Sequence, residues 1–275
     1  MTSGMWQRIL VIVVGLILTG LLFFANKTNL ESSSDKKLTE TTDSGLEEQS
    51  LPPLAPEPKV DSWIDSLNFA KESEKIRILD SIVLNLQARN RFDYAALYAE
   101  SILVLDSSLH RVLLAGELNQ KAMRMPFVQK DSVMRTAFST KSINLLQQVT
   151  ASEPTNERAL LSLGLALTES GVPQQSMAGI QTLRRILDIN PSNADASFQL
   201  GLFSAQTGQF EKAIERFERV LEVDPGNLSA RYHLARSSLQ TGEVQTAKKL
   251  LGEVVDATKD ADLKQAANFL LQQLN

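Results

Sequence analysis

The sequence predicts an all-α protein: an α-solenoid of about five helix pairs closed by one further helix, set behind a hydrophobic amino-terminal helix and a polar tether. A Pro-x-Asn-x-x-Ala hexad recurs three times at repeat spacing. Apolar residues fall at helical intervals between the recurrences. The first 25 residues hold one uninterrupted apolar run.

The hexads are Pro154-Thr-Asn156-Glu-Arg-Ala159, Pro191-Ser-Asn193-Ala-Asp-Ala196 and Pro225-Gly-Asn227-Leu-Ser-Ala230, spaced by 37 and then 34 residues. Proline cannot continue the hydrogen-bond ladder of the helix before it, and an Asn two residues later caps the helix after it. One device therefore turns helix into helix three times.

Between hexads the pattern is equally regular. From Ala194 to Asn227 a first helix carries Phe198, Leu200, Gly201, Leu202 and Ala205. Thr207-Gly208-Gln209 forms the turn, with Gly able to take the left-handed conformation that closes a helix. A second helix carries Phe210, Ala213, Ile214, Phe217, Val220 and Leu221 at i, i+3, i+4, i+7 spacing, which puts one apolar stripe toward its neighbours.

This arrangement resembles the tetratricopeptide repeat family, whose marks stand here at Leu200-Gly201, Gly208, Phe210, Ala213, Phe217 and Pro225. The following unit has Leu234-Ala235, Gly242, Ala247, Leu251 and Val254 but lacks the closing proline. The preceding one has Leu163-Gly164, Gly171, Gly179, Leu183, Ile186 and Pro191, with a longer turn that accounts for its longer period. Three clear units thus span 154–260.

Upstream, 61–153 reads as degenerate pairs. Phe92 to Asp106 matches a second helix with Ile76 to Ala88 as its first. Residues 109–124 form another first helix, and a polar loop around Pro126 leads to a helix ending near Ala151. Leu263, Ala266, Ala267, Leu270, Leu271 and Leu274 make a final amphipathic helix over 261–275, the cap that an array needs to cover its last apolar face.

Ahead of the repeats, residues 1–8 are a short tail, and Ile9 to Ala25 is a run of seventeen uncharged residues. As a helix it is roughly 25 Å long, near the lower limit for a bilayer core. Trp6 and Lys27 suit its two interfaces. The run is long for a cleaved signal, and Phe23-Phe24-Ala25 lacks the small-x-small pattern a peptidase reads, so an uncleaved single-pass membrane anchor is expected. Lys27, Lys36 and Lys37 after the helix favour a cytoplasmic domain by count. Long domains, however, translocate largely regardless of charge. The chain also resembles bacterial single-span repeat proteins, which places the repeats outside the cytoplasm, in the periplasm. Residues 26–60 contain no aromatic residue and end in Pro52, Pro53, Pro56 and Pro58, the composition of a disordered acidic and Pro-rich linker.

Composition removes several functions. The net charge is -4 with no basic cluster, against nucleic-acid binding. The chain has no Cys, which removes thiol chemistry and thiolate metal sites. His110 and His233 lack metal-ligand spacing and read as surface or groove residues, and no HExxH, GxSxG or GxxxxGK[ST] run occurs. No catalytic residue, cofactor or metal is therefore expected, and the protein is read as a non-enzyme.

The family resemblance implies a scaffold that binds partner proteins or peptides along the concave face lined by the first helices. Carried over position by position, the groove comprises Arg158, Leu161, Leu165, Thr168 and Glu169, then Asp195, Phe198, Leu202, Ala205 and Gln206. It continues with Ser229, Tyr232, Arg236, Leu239 and Gln240. One subfamily grips a terminal carboxylate with Lys, Asn and Arg. Phe198, Leu202 and Tyr232 stand at those places here and cannot form that clamp. A membrane-anchored adaptor in assembly or maturation of envelope protein complexes is the resulting expectation, and self-association of array ends is the alternative.

Overall fold

The computed structural model describes Leu51 and residues 58–274, and among these are thirteen helices and no strand. The apolar run 9–25 and most of the tether lie outside the described residues. Among the described residues no helix is long and apolar enough to cross a membrane. The chain divides into two compact units, meeting in sequence at Ser152 and Glu153.

The first unit contains α1 (Pro58–Leu67), α2 (Glu72–Ala88), α3 (Phe92–Leu103), α4 (Leu109–Met123), α5 (Pro126–Lys130) and α6 (Ser132–Ser152). The hairpin α2–α3 turns at Asn90, whose φ of 55° is left-handed. The Arg91 N–H then donates back to the Leu86 carbonyl at 2.9 Å, closing the helix as a glycine turn does. Ala95, Ala96 and Ala99 let α3 sit close to its neighbours, and Asp93 is buried with both oxygens on the Arg91 guanidinium. The α4 helix is buried on most of its circumference between α3 and α6. It meets α6 where Gly116 lies under Leu146, and Ser142 Oγ donates to the Gly116 carbonyl at 2.9 Å.

Two expectations are corrected in this unit. The expected linker extends to Val60, but α1 begins at Pro58, and Leu51 and Val60 are 6% and 3% exposed within the core around Ile82, Leu86 and Ile102. Isolated apolar residues in polar surroundings are enough to dock when a ready core faces them. The polar loop around Pro126 is instead the one-turn helix α5. Proline fits the first helical position, and Val128 inside the turn is fully buried.

The second unit contains three helix pairs and a final helix. The pairs are α7 (Glu157–Glu169) with α8 (Pro173–Ile189), α9 (Ala194–Gln206) with α10 (Phe210–Val223), and α11 (Leu228–Gln240) with α12 (Val244–Ala257). The final helix, α13 (Ala261–Gln273), packs on α12. Each hexad performs the work its residues predict. Asn156, Asn193 and Asn227 accept from the backbone N–H groups of Ala159, Ala196 and Ala230 at 3.0, 2.8 and 2.9 Å. The three alanines are wholly buried, so a larger side chain has no room there. Gly171, Gly208 and Gly242 hold φ of 79°, 75° and 86° at the intra-pair turns.

Pairing distance within a unit is set by small residues. A Cβ at Gly179 would meet the Gly164 carbonyl oxygen at 2.7 Å, so α7 and α8 touch backbone to backbone. A Cβ at Gly201 would meet the Phe217 ring at 2.8 Å, so that aromatic lies in the space the glycine leaves. The missing proline after α12 is replaced by a side-chain start: Asp260 accepts from the N–H groups of Asp262 and Leu263. In α13, Ala267 is buried, and Leu263, Leu270, Leu271 and Leu274 pack toward α12. Phe269 on the outer face is 60% exposed.

Candidate functional site

The candidate face lies on the first helices of the second unit, α7, α9 and α11. Their orientation follows from the hexads. Capping by Asn fixes where each helix starts, and burial of the Ala three residues later fixes which side turns inward. The residue just before each Ala (Arg158, Asp195, Ser229) is exposed and the one two after it (Leu161, Phe198, Tyr232) is half-buried, whereas Leu160 and Ser197 turn inward.

The twelve principal groove positions are all at least partly accessible. Arg158, Asp195, Gln206, Arg236 and Gln240 are exposed or half-buried at the surface, and Leu161, Leu165, Glu169, Phe198, Leu202, Tyr232 and Leu239 are half-buried. Several apolar members also pack inward. Leu161 rests against the core of Leu160, Leu183 and Leu200, while Phe198 and Leu202 join that of Ala213 and Phe217. Tyr232 and Leu239 border the core of Leu251 and Val254. These side chains belong partly to the fold and partly to the surface. Of the secondary positions, Ala205 also packs against the core of Ala213 and Phe217. Thr168 is turned to the crossing with α8: a Cβ at Gly179 would lie 2.7 Å from its methyl group, and its hydroxyl donates to the Leu165 carbonyl. Thr168 is thus a packing residue, placed there by the glycine opposite.

Between α9 and α11 the rings form a continuous series. Phe198 meets His233 edge to face with centroids 5.7 Å apart, and Tyr232 meets His233 in the same manner at 5.4 Å. Beneath them the buried Phe217 stacks on His233 at 5.6 Å with 24° between the planes. Arg236, one turn after Tyr232, places its guanidinium 5.7 Å from the Tyr232 ring centroid. The structure therefore brings Phe198, Tyr232 and Arg236 together and supplies the residue that joins them. Sequence pattern alone reads His233 as a surface or groove residue. It is half-buried beside the groove positions and meets three rings, whereas His110 is exposed. Burial lowers the His233 pKa from 6.5 to about 4, and the neighbouring Arg236 charge acts in the same direction, so the imidazole is neutral at physiological pH. The signal that would have found it is its place one residue after Tyr232, above the aromatic of the preceding second helix.

Two concave features lie off this face. A hollow of about 490 Å³ is lined by Ser192, Ser197 and the Glu215, Glu218 and Glu222 side of α10. Another of about 760 Å³ runs along the outer face of α13 beside Phe269. Among the described residues no group of three or more His, Asp or Glu is placed to hold a metal ion. The arrangement on α9 and α11 offers apolar contact, one exposed cation and hydrogen-bonding amides.

Residues 204–270, from the end of α9 into α13, match the family model of the tetratricopeptide repeat. Among solved structures the chain is similar to TTC0263, a thermophilic TPR protein of Thermus thermophilus. The TM-score is 0.55 at 17% identity, over 74% of this chain and 100% of that one. It is also similar to MamA, with TM-score 0.48 and 22% identity over 67% of this chain and 92% of that one. A third is YrrB, described as a TPR protein with an unusual peptide-binding site, with TM-score 0.45 and 20% identity over 76% of this chain and 98% of that one. At 17% identity the likeness to TTC0263 speaks to the fold alone, which is an all-helical series of tetratricopeptide-like pairs. No curated protein matches the chain. No catalytic family is indicated by the matches.

Proposed function

We propose that the second unit is a docking platform for partner polypeptides, received along the accessible side of α7, α9 and α11, and that the chain is a tethered adaptor. One observation carries the reading: Phe198, His233, Tyr232 and Arg236 form an unbroken, half-accessible series across two adjacent repeats. Aromatic rings and arginine are enriched among the residues that contribute most where a polypeptide is bound: the rings bury much area, and the guanidinium offers a planar fork of donors. The carboxylate clamp is absent from the corresponding positions, so the platform suits an internal segment or helix of a partner over a free carboxyl terminus.

The tether belongs to the same proposal. The apolar run Ile9 to Ala25 supports a single-pass anchor, and the polar composition of 26–50 supports a spacer that lets the platform search near a bilayer. We place the platform outside the cytoplasm, serving assembly or maturation of envelope protein complexes. A reporter enzyme fused after Asn275 tests the side: activity of a reporter functional only outside the cytoplasm supports it, and activity of a cytoplasm-only reporter overturns it.

Partner binding is tested with the full-length chain and the polypeptide it recovers. Tyr232→Ala weakens the complex about tenfold or more, the effect of removing a central aromatic anchor. Met177→Ala on the second helix α8, 60% exposed, leaves the affinity unchanged. Equal effects from both substitutions would remove the platform from this face.

A further inference from the structure

We propose that the Tyr232–Arg236 end of the platform recognises a side-chain carboxylate lying within two residues of an aromatic or aliphatic residue in the partner polypeptide. This rests on the docking reading above and adds the chemistry of the occupant.

Arginine usage in this chain separates Arg236 from its neighbours. Arg91 is committed to Asp93, and Arg111 to Asp80. Arg231, on the same helix as Arg236, donates to the Pro225 carbonyl at 2.6 Å and lies 3.4 Å from Glu253. The defined contact of Arg236 is the face of Tyr232, and the side chain remains accessible to solvent. A guanidinium 5.7 Å from a ring centroid spends no N–H donor on that contact, and its planar fork matches the two oxygens of a carboxylate. Ring contact also restricts the side chain before a ligand arrives, so less entropy is lost on binding.

The apolar half of the requirement comes from the adjoining rings. Phe198 and Tyr232 each meet the His233 ring edge to face, at 5.7 and 5.4 Å, and together make a half-accessible aromatic shelf for an apolar side chain. An occupant covering the shelf brings its neighbouring residues over Arg236. A carboxylate there completes an ion pair in a setting the apolar side chain has partly cleared of water, where charge pairing is stronger. A lysine there meets repulsion instead. Nothing in this arrangement requires a chain terminus, which distinguishes it from a clamp for a terminal carboxylate.

The two histidines make the site observable. His233 lies within the shelf and His110 is exposed in the other unit, so their imidazole Cε1–H resonances report on the site and on a control. Full-length protein is used to select from a displayed library of random heptapeptides. The strongest peptide is then synthesised with its acidic residue intact, changed to Gln and changed to Lys.

Selected peptides are expected to carry Asp or Glu within two residues of Phe, Trp or Leu. Titration moves the His233 signal and leaves His110 still. The Gln peptide binds about tenfold more weakly, the loss of one charge-assisted contact, and the Lys peptide weaker again. Arg236→Gln abolishes the preference for the acidic peptide, and Arg236→Lys restores part of it. Peptides without an acidic bias, or a preference that survives Arg236→Gln, overturn the carboxylate inference while His233 movement still upholds docking. Selected peptides that leave His233 unmoved, or a selection that yields none, overturn the docking reading together with it.

Discussion

The side-chain nitrogen of Asn193 donates to Glu157 at 2.6 Å while its oxygen caps α9 at the Ala196 N–H, so one amide both starts a helix and ties it to the preceding pair. Asn227 caps α11 in the same way, but its defined side-chain bond is the cap itself. Asn227→Ala should therefore cost about 1 kcal/mol and Asn193→Ala about 2 kcal/mol. Urea unfolding of single and double variants checks this. Glu157 also accepts from the Asn190 side chain at 3.0 Å, so Glu157→Gln should still cost stability once Asn193 is Ala, but less than it does in the wild type.

Glycines at two kinds of position should answer differently to alanine. At Gly179 the new Cβ would strike the Gly164 oxygen and the Thr168 nitrogen at 2.7 and 2.9 Å, and backbone cannot move aside as a side chain can. We expect a loss of about 2–3 kcal/mol as α7 and α8 separate. At Gly208 the space is open and only the left-handed φ of 75° resists, so Gly208→Ala should cost about 1 kcal/mol and Gly208→Asn less. Equilibrium denaturation of the three variants distinguishes packing from backbone strain.

His233 makes the second unit sensitive to acid. Its pKa is about 4 in the folded chain against 6.5 when unfolded, so between those values the unfolded chain binds the extra proton. The stabilisation from the neutral ring is complete above pH 6.5 and is lost as pH falls toward 4. With the partial exposure of the ring screening the charged form, the loss should be about 2 kcal/mol. His233→Phe removes this component. The difference in stability between wild type and variant should therefore change as the pH falls through this window and stay level above about pH 7.

Phe217 connects the packing to the platform. It occupies the space over Gly201 and stacks beneath His233, so Gly201→Ala must displace the ring that supports the shelf. We expect a stability loss of about 1–3 kcal/mol and a shifted His233 resonance with no change at His110. A shift confined to stability would show that the shelf is not held by Phe217.

The helix starts of the second unit are legible because Pro, Asn and buried Ala each answer one local physical need, repeated at Pro154, Pro191 and Pro225. The first unit is harder to read. Its hairpin turn uses Asn90 in the place Gly208 holds, and Asn tolerates the left-handed conformation without announcing it. Helix α5 is hidden because five residues cannot show a helical period. Docking of Leu51 depends on a core assembled from distant segments, which composition does not reveal. The platform residues follow from position within a repeat, and Phe198 and Tyr232 can be named that way. Thr168 cannot be separated from them, because its direction is set by Gly179 on another helix. His233 becomes informative only when three aromatic neighbours from α9, α10 and α11 are placed around it.

The most direct test of the platform places a photo-crosslinking amino acid in the full-length chain at Gln206 or Gln240 on the proposed face, and at Met177 on α8 as the control. The account predicts discrete polypeptide adducts from the first two positions, lost when Phe198 and Tyr232 are both changed to Ala, and none from Met177. Adducts of equal yield from Met177, or adducts at Gln206 and Gln240 that persist in the double variant, would contradict it.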